Sequence, residues 1–514
     1  MADDAEGRDR SQPADSAASH STQMPPGAPA GAAAGAAAGA ASAAPAKSVP
    51  GAAVVRDLPR LRALACKLHQ DGRLAEAVPA YHAYLAERPQ DAGIWSNLGV
   101  ALRSQQRLQA AALCYRRALE IHPGDPAVLG NLGNVLKDLD LFDEAISVLS
   151  AAVAAKPDDQ RQLFNLGLVY RDAARFEEAL AAIDRALALQ PGDPAMRWDR
   201  ALVLLHLGRY AEGWQDYATR WEIGEISRPP HRQPLWQGER LAGKTILLYP
   251  EQGFGDTILA SRFIPRVKEL GGRVILECKP PLRRLSTGLA GVERLVSLGA
   301  LRDGFDCHCS LMDLPGLLGL EAERIPAPAR LGVPPEAQAR AKRLLASAQG
   351  RFKVGVVWSG SVTYKGNRKR SAALQRFLDL AAVPGLQLYS LYKGPLEREL
   401  RESGAGPLLS DLGSHDADLA DTAAVIEQLD LVVMTDSAVA HLAGSLGRPI
   451  WNLLGFSPYW VYGAAGETTP WYPSMRLFRQ PAGGDWDAVF ERVKDELAAA
   501  VAAKQAGAWP PAPA

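Results

Sequence analysis

Three short stretches of this 514-residue chain combine residue types that could support group-transfer chemistry. The first reads Glu251-Gln252-Gly253-Phe254-Gly255-Asp256-Thr257. Gly253 and Gly255 let the backbone turn tightly and bring a ligand close to a helix N-terminus, with the Asp256 carboxylate at its edge. Three readings stand for this loop. Asp256 is a catalytic base, or it caps the helix and interacts with its dipole, or the loop is a dinucleotide site with Glu277 as the ribose-binding acid. The last reading lacks its third glycine, since position 258 is Ile258.

The second stretch is Thr435-Asp436-Ser437-Ala438-Val439-Ala440-His441-Leu442-Ala443-Gly444. Small residues there leave backbone N–H groups and the Ser437 hydroxyl open to a phosphate, and Asp436 is placed to cap the helix or bind a hydroxyl-rich ligand. His441 is either a satisfied core histidine or a site residue one turn into the helix. The third stretch runs from Trp358-Ser359-Gly360-Ser361 through Lys365, Asn367, Arg368, Lys369, Arg370 and Ser371. It reads as an exposed basic loop or as a phosphate site in which Lys365 is the cation.

Elements with the right ends must position these stretches. KTILLYP at 244–250 is an apolar run suited to a buried parallel strand, followed by the glycine turn, a helix over about 257–270 and the strand RVILEC at 273–278. A second series starts with FKVGVVWSG at 352–360 and continues through 386–391 and DLVVMTDS at 430–437. Two Rossmann-like sheets in series imply two lobes facing one cleft, with a final helix over 486–503 packing back across them. The lobes are expected at 228–345 and 346–500, with a tail at 501–514. The proline-rich text at 227–238 marks their upstream boundary.

Before that boundary the chain repeats itself about every 34 residues from 58 to 227. Trp95, Leu98, Gly99, Leu102, Ala111, Tyr115, Ala118 and Pro123 have counterparts in Leu129, Leu132, Gly133, Leu136, Ala145, Leu149, Ala152 and Pro157, and again from Leu163 to Pro191. This is the tetratricopeptide (TPR) signature, with degenerate units at each end, and it predicts an α-solenoid of about five helix pairs. The sixth position of successive units is Asn97, Asn131, Asn165 and Asp199. Such a ladder either holds the backbone of an extended peptide or is only tolerated in these helices.

Lysine plus arginine equals aspartate plus glutamate at 57 each, so no global basic field exists to attract nucleic acid or a membrane surface. The five scattered cysteines lack paired zinc-site spacing, and reduced thiols suit a cytoplasmic setting. No stretch is apolar and long enough to span a membrane. Residues 1–55, rich in Ala, Gly, Pro and Ser, read as a disordered leader. Asp416, Asp418 and Asp421 are expected as loop and cap residues rather than metal ligands.

GFGD after the first strand, the WSGS segment with its lysine, and DSAVAHLAGSLGRP together resemble bacterial glycosyltransferases of the heptosyltransferase type, which have the two-lobed GT-B fold. The attachment of TPR units resembles the O-linked N-acetylglucosamine transferases and bacterial TPR-glycosyltransferases. Ser437-Ala438 stands where heptosyltransferases often show Thr-Gly. The resemblance implies an α plus α/β protein that moves a sugar from a nucleotide-sugar co-substrate to a protein presented by the repeats. It makes Asp256 the base, and it places Lys365, Ser437, Ala438 and the following amides on the donor diphosphate, with Asp436 and His441 beside it. Inverting transfer of this kind needs neither a metal nor a resident cofactor. A non-catalytic TPR scaffold with a degenerate transferase domain is the alternative.

Overall fold

The computed structural model describes residues 57–510 apart from 225, 252 and 349, so the leader expected at 1–55 and the last four residues of the tail lie outside the described residues. Asp57–Ala514 forms one compact unit.

Five antiparallel helix pairs open it: Leu58–Gln70 with Leu74–Glu87, Ala92–Ser104 with Leu108–Ile121, Pro126–Asp138 with Phe142–Ala155, Gln160–Asp172 with Phe176–Leu189, and Pro194–His206 with Tyr210–Tyr217. One aspartate per unit explains where each pair begins. Asp57, Asp91, Asp125, Asp159 and Asp193 each accept a backbone N–H in the first turn of the following helix. Each such cap contributes about 1 kcal/mol. Glycine lets the two helices of a unit approach: a β-carbon on Gly99 would lie 2.7 Å from the Tyr115 ring. Between units, Arg103 pairs with Asp138 at 2.8 Å, Lys137 with Asp172 at 3.9 Å, and Arg171 with Asp199.

Two parallel sheets follow. The first contains β1 (Thr245–Tyr249), β2 (Arg273–Cys278), β3 (Val292–Ser297) and β4 (Cys307–Ser310), in the order β3-β2-β1-β4. The second contains β5 (Phe352–Val357), β6 (Leu386–Ser390), β7 (Leu409–Asp411), β8 (Leu431–Thr435), β9 (Ile450–Leu454) and β10 (Met475–Arg479), in the order β10-β9-β8-β5-β6-β7. Each order reverses beside its first strand, between β1 and β4 and between β5 and β8. Ligands of open parallel sheets bind at such switch points, beyond the C-terminal strand ends.

Several boundaries differ from the sequence expectation. Helix Pro335–Leu344, expected in the first lobe, packs on the second: Gln338 donates to Glu427 at 2.8 Å, and the Arg340 guanidinium meets Asp421 at 3.3 Å. Its buried Ala337 and Ala341 make a narrow apolar stripe that the helix Leu419–Ile426 covers. The last helix, Trp486–Gln505, runs through the expected boundary at 500. Its contacts reach Phe377 and Asp430 in the second half of the α/β region, and Trp509 beyond it rests on Phe352 at 5.3 Å. The aspartates at 416–421 hold arginines, Arg284 gripping Asp418 at 2.7 Å and Asp421 at 2.8 Å. Burial pushes Asp416 up to about 6.

The repeats are not a separate appendage. Leu205, Tyr210, Trp214 and Tyr217 of the last pair belong to the same apolar core as the two sheets. At this junction the Arg220 side chain is 3% exposed, donating to Glu251 at 2.5 and 3.1 Å, to Asp313 at 2.6 Å and to the Tyr217 carbonyl at 3.0 Å.

Breaking a buried pair by removing one partner costs about 3–5 kcal/mol. Arg220→Met is therefore expected to lower the thermal unfolding midpoint by about 3–5 °C, while Arg73→Met, which breaks an exposed pair, changes it by under about 1 °C. An unaltered midpoint in Arg220→Met would show that this charge does not hold the junction.

Candidate functional site

The loop after β1 leads into helix Phe254–Ala260, and the strand β8 leads into helix Ala438–Ser445. These two helices pack against each other across the gap between the sheets. The contact leaves no space for a side chain on the first: a β-carbon on Gly255 would lie 2.6 Å from His441 Cδ2 and 3.5 Å from Ala438 Cα. Gly255 is thus needed for close approach between two backbones, and the same packing brings Asp256, in the first turn, toward Asp436 at the end of β8.

Asp256 is not an N-cap. Gly253 occupies that position, with no side-chain hydrogen bond to the helix, and Asp256 lies three residues further on. Its carboxylate accepts a hydrogen bond from the Tyr459 hydroxyl at 3.2 Å. Burial raises its pKa, with smaller contributions from the negative charges of Glu251 and Asp436. The Tyr459 hydrogen bond and the Lys279 charge oppose the rise. A carboxylate with a raised pKa holds a proton more readily, as a base at this edge requires.

On the other side, Ser437 and not Asp436 caps the helix, its hydroxyl accepting the Val439 N–H at 3.3 Å. The carboxylate of Asp436 instead accepts from the Tyr462 hydroxyl at 2.9 Å and meets Arg370 at 3.5 Å. The reason is geometric: the residue in extended conformation directly before the helix is Ser437, so Asp436 is still on the strand end and points elsewhere. His441 is buried, with Nδ1 3.0 Å from the Tyr472 hydroxyl, and burial pushes it down to about 4. It is neutral at physiological pH and serves as the wall against which Gly255 packs.

Lys365 is exposed and lines an open pocket of about 630 Å³ beyond β5, together with Trp358, Ser359, Tyr364 and Arg368. The cation in contact with the carboxylate cluster is Arg370, whose guanidinium also lies 4.5 Å from the Tyr364 ring centroid. Glu277, the alternative ribose acid, is fully buried and accepts the Gly299 N–H at 3.1 Å, so its carboxylate is already engaged.

The asparagine ladder is uneven. Asn97 lies 3.9 Å from Cys66 Sγ, Asn131 is half-buried, and Asn165 is 5% exposed. Asp199, expected as the fourth rung, is taken by Arg171, a cation in the last turn of the neighbouring helix that requires a counter-charge.

Sequence reasoning missed Tyr459, Tyr462 and Tyr472. The signal was the aromatic density of 459–462 and 471–472, which reads as core until the partners are known. Arg262 was missed as well. It donates to the Trp471 carbonyl at 2.9 Å and lies 4.8 Å from the Tyr472 ring centroid, joining the two halves behind the site.

The fold and site thus define a class: an array of helical repeats joined to an α/β region of two parallel sheets. Residues 62–126, 131–194 and 164–224 match the tetratricopeptide repeat family. The chain is 28% identical over 319 residues to Protein FlbA of Caulobacter vibrioides, a match covering 57% of this chain and 53% of that protein. It thus spans about half the length of this curated relative. Among solved structures, MamA 41-end from Desulfovibrio magneticus RS-1 is similar at 21% identity and a TM-score of 0.30, covering 33% of this chain and 94% of its own. YrrB, described as a TPR protein with an unusual peptide-binding site, is similar at 18% identity and a TM-score of 0.28, covering 31% and 82%.

The raised pKa of Asp256 gives a pH signature. A carboxyl whose folded-state pKa lies above its unfolded value favours folding while protonated, and that contribution is lost as pH rises through the folded pKa. Asp256→Asn has no charge to bury. It is expected to match the wild type near pH 4 and to unfold at a higher temperature than the wild type near pH 7.5, values set on either side of a raised carboxylate pKa. A difference constant across that range would show that Asp256 ionises normally.

Proposed function

We propose that the protein is a nucleotide-sugar-dependent glycosyltransferase of GT-B type, acting on a protein acceptor held by the TPR repeats. The observation that carries this reading is the packing of helix Phe254–Ala260, which bears Asp256, against helix Ala438–Ser445, each following a strand of one of the two parallel sheets. In the proposed reaction an acceptor hydroxyl attacks the anomeric carbon of the sugar, and its proton passes to the Asp256 carboxylate. The bond from the anomeric carbon to the diphosphate oxygen breaks, and the electron pair leaves with the nucleotide diphosphate. Arg370 and Lys365 supply positive charge beyond β5, and the amides at the start of helix Ala438–Ser445 supply their dipoles.

A scaffold reading is supported by two features. The Ser437 hydroxyl is used in capping, and Arg370 already has Asp436 as a partner. Thermal unfolding with nucleotide diphosphates, with nicotinamide cofactors and with buffer alone separates the readings, since a ligand of the native state raises the midpoint. A rise with a nucleotide diphosphate only is expected. A rise only with a nicotinamide cofactor would redirect the assignment to an oxidoreductase, and no rise with either would favour the scaffold.

Two variants test the roles. Asp256→Asn is expected to bind the nucleotide diphosphate nearly normally and to transfer sugar at least about a hundredfold more slowly, the lower end of what a general base contributes. Near-normal turnover would remove the base from Asp256. Lys365→Ala is expected to weaken nucleotide diphosphate binding, and an unchanged Kd would take the donor role from Lys365.

A further inference from the structure

The segment that carries Tyr459 and Tyr462 is held by the edge of the repeats, residue by residue. Phe456 stacks on Phe142 of the third repeat, with ring centroids 6.1 Å apart and planes at 14°. Ser457 donates to the Arg171 carbonyl of the fourth at 3.2 Å. The Pro458 carbonyl lies 2.8 Å from His206 Nε2 of the fifth. Three consecutive residues thus touch three consecutive repeats, each at or beside the turn that joins the two helices of its pair. The next residue, Tyr459, donates to Asp256, and Tyr462 donates to Asp436.

The third repeat also grips the opposite side of the pocket. Asp140, in the left-handed turn between its helices at φ 61°, pairs with Lys369 at 2.7 Å, and Lys369 lies 5.7 Å from the Phe142 ring centroid. Lys369 neighbours Arg370, the cation on Asp436. One turn of one repeat therefore contacts both loops that present groups to the two carboxylates.

We propose that this solenoid edge, Phe142 with Asp140, Arg171 and His206, is a positioning surface for residues 456–462, so that the spacing of repeats three to five sets the hydrogen bonds on Asp256 and Asp436. The proposal rests on the reading of that pair as the reacting site. In repeat arrays each unit contacts only its neighbours, so a ligand seated along them acts on the cleft through the spacing between successive units. An extended protein segment bound in the repeats would then be sensed at Asp256 through Tyr459, and the residues named are positioning residues.

Hydrogen–deuterium exchange of the full chain tests the mechanical link without any ligand, so its outcome is independent of whether the site transfers sugar. Phe142→Ala is expected to raise amide exchange across 456–462 by about tenfold or more, while Leu108→Ala, at the equivalent turn of the second repeat, leaves that segment unchanged. Phe142→Tyr, which keeps the ring, is expected to restore protection. If Phe142→Ala exchanges throughout the molecule, the double variant Asp140→Asn with Ser457→Ala provides the milder perturbation, with the same segment read.

A second readout separates positioning from simple loosening. The Tyr459 hydrogen bond lowers the pKa of Asp256, so its loss raises that pKa further. In the loosened background, the stability gain of Asp256→Asn over its Asp256 parent is expected to keep growing to a higher pH before it levels off, because the folded-state pKa sets that upper limit while the unfolded-state pKa sets the onset. Unchanged exchange at 456–462 in both loosened variants, or an unmoved levelling-off pH, would overturn the proposal.

Discussion

A single buried guanidinium joins the two architectures. Arg220 follows the last repeat helix, stacks between the rings of Tyr217 and Trp221, and gives its hydrogen bonds to Glu251, Asp313 and a backbone carbonyl. A charge taken out of water in this way is tolerated only when its donors are satisfied and its counter-charges are close. Glu251 is also reached by the Ser310 hydroxyl at the end of β4, so the network spans the switch point of the first sheet. Glu251 begins the very loop that ends in Asp256. The position of the candidate base is therefore conditional on where the repeats end.

The second constraint is electrostatic. Packing Gly255 against His441 brings two carboxylates close together, where the Asp436 charge makes Asp256 harder to ionise. Tyrosines and cations ease the conflict. Tyr459 and Tyr462 each donate to one carboxylate, Arg370 approaches Asp436, and the Lys279 charge acts on Asp256. The two acids consequently differ in character. Asp436 meets the Arg370 guanidinium at 3.5 Å, whereas Asp256 accepts from the neutral Tyr459 hydroxyl and burial still holds its pKa above the ordinary value, the state suited to receiving a proton.

What the sequence revealed follows from the range of the interactions. The repeats were legible because their determinants recur within one unit: a glycine under a large side chain, spaced leucines and alanines, and a closing proline. The strands and the GFGD and DSAVAH loops were legible because apolar runs ending in small residues are local patterns. Tyr459 and Tyr462 were not, because each finds its carboxylate far along the chain, at separations of 203 and 26 residues. The choice of Ser437 over Asp436 as the cap was also hidden, since both side chains can cap and only the exit angle of β8 decides. Helix Pro335–Leu344 was assigned to the wrong half because its neighbour in sequence is the first sheet and its apolar partner is the helix Leu419–Ile426.

The asymmetry between the two ends of the repeat array follows from the same junction. A solenoid needs a polar cap at each end, because a terminal unit exposes a face that an inner one buries. In the first unit Leu64 is 46% exposed. At the last, the α/β region is the cap: Tyr210 accepts the Trp471 indole N–H at 2.9 Å, and Trp214 packs edge-on against Trp460 at 5.5 Å. The array is thus clamped where it meets the site, and a displacement passed from unit to unit reaches the cleft through the repeats that hold residues 456–458.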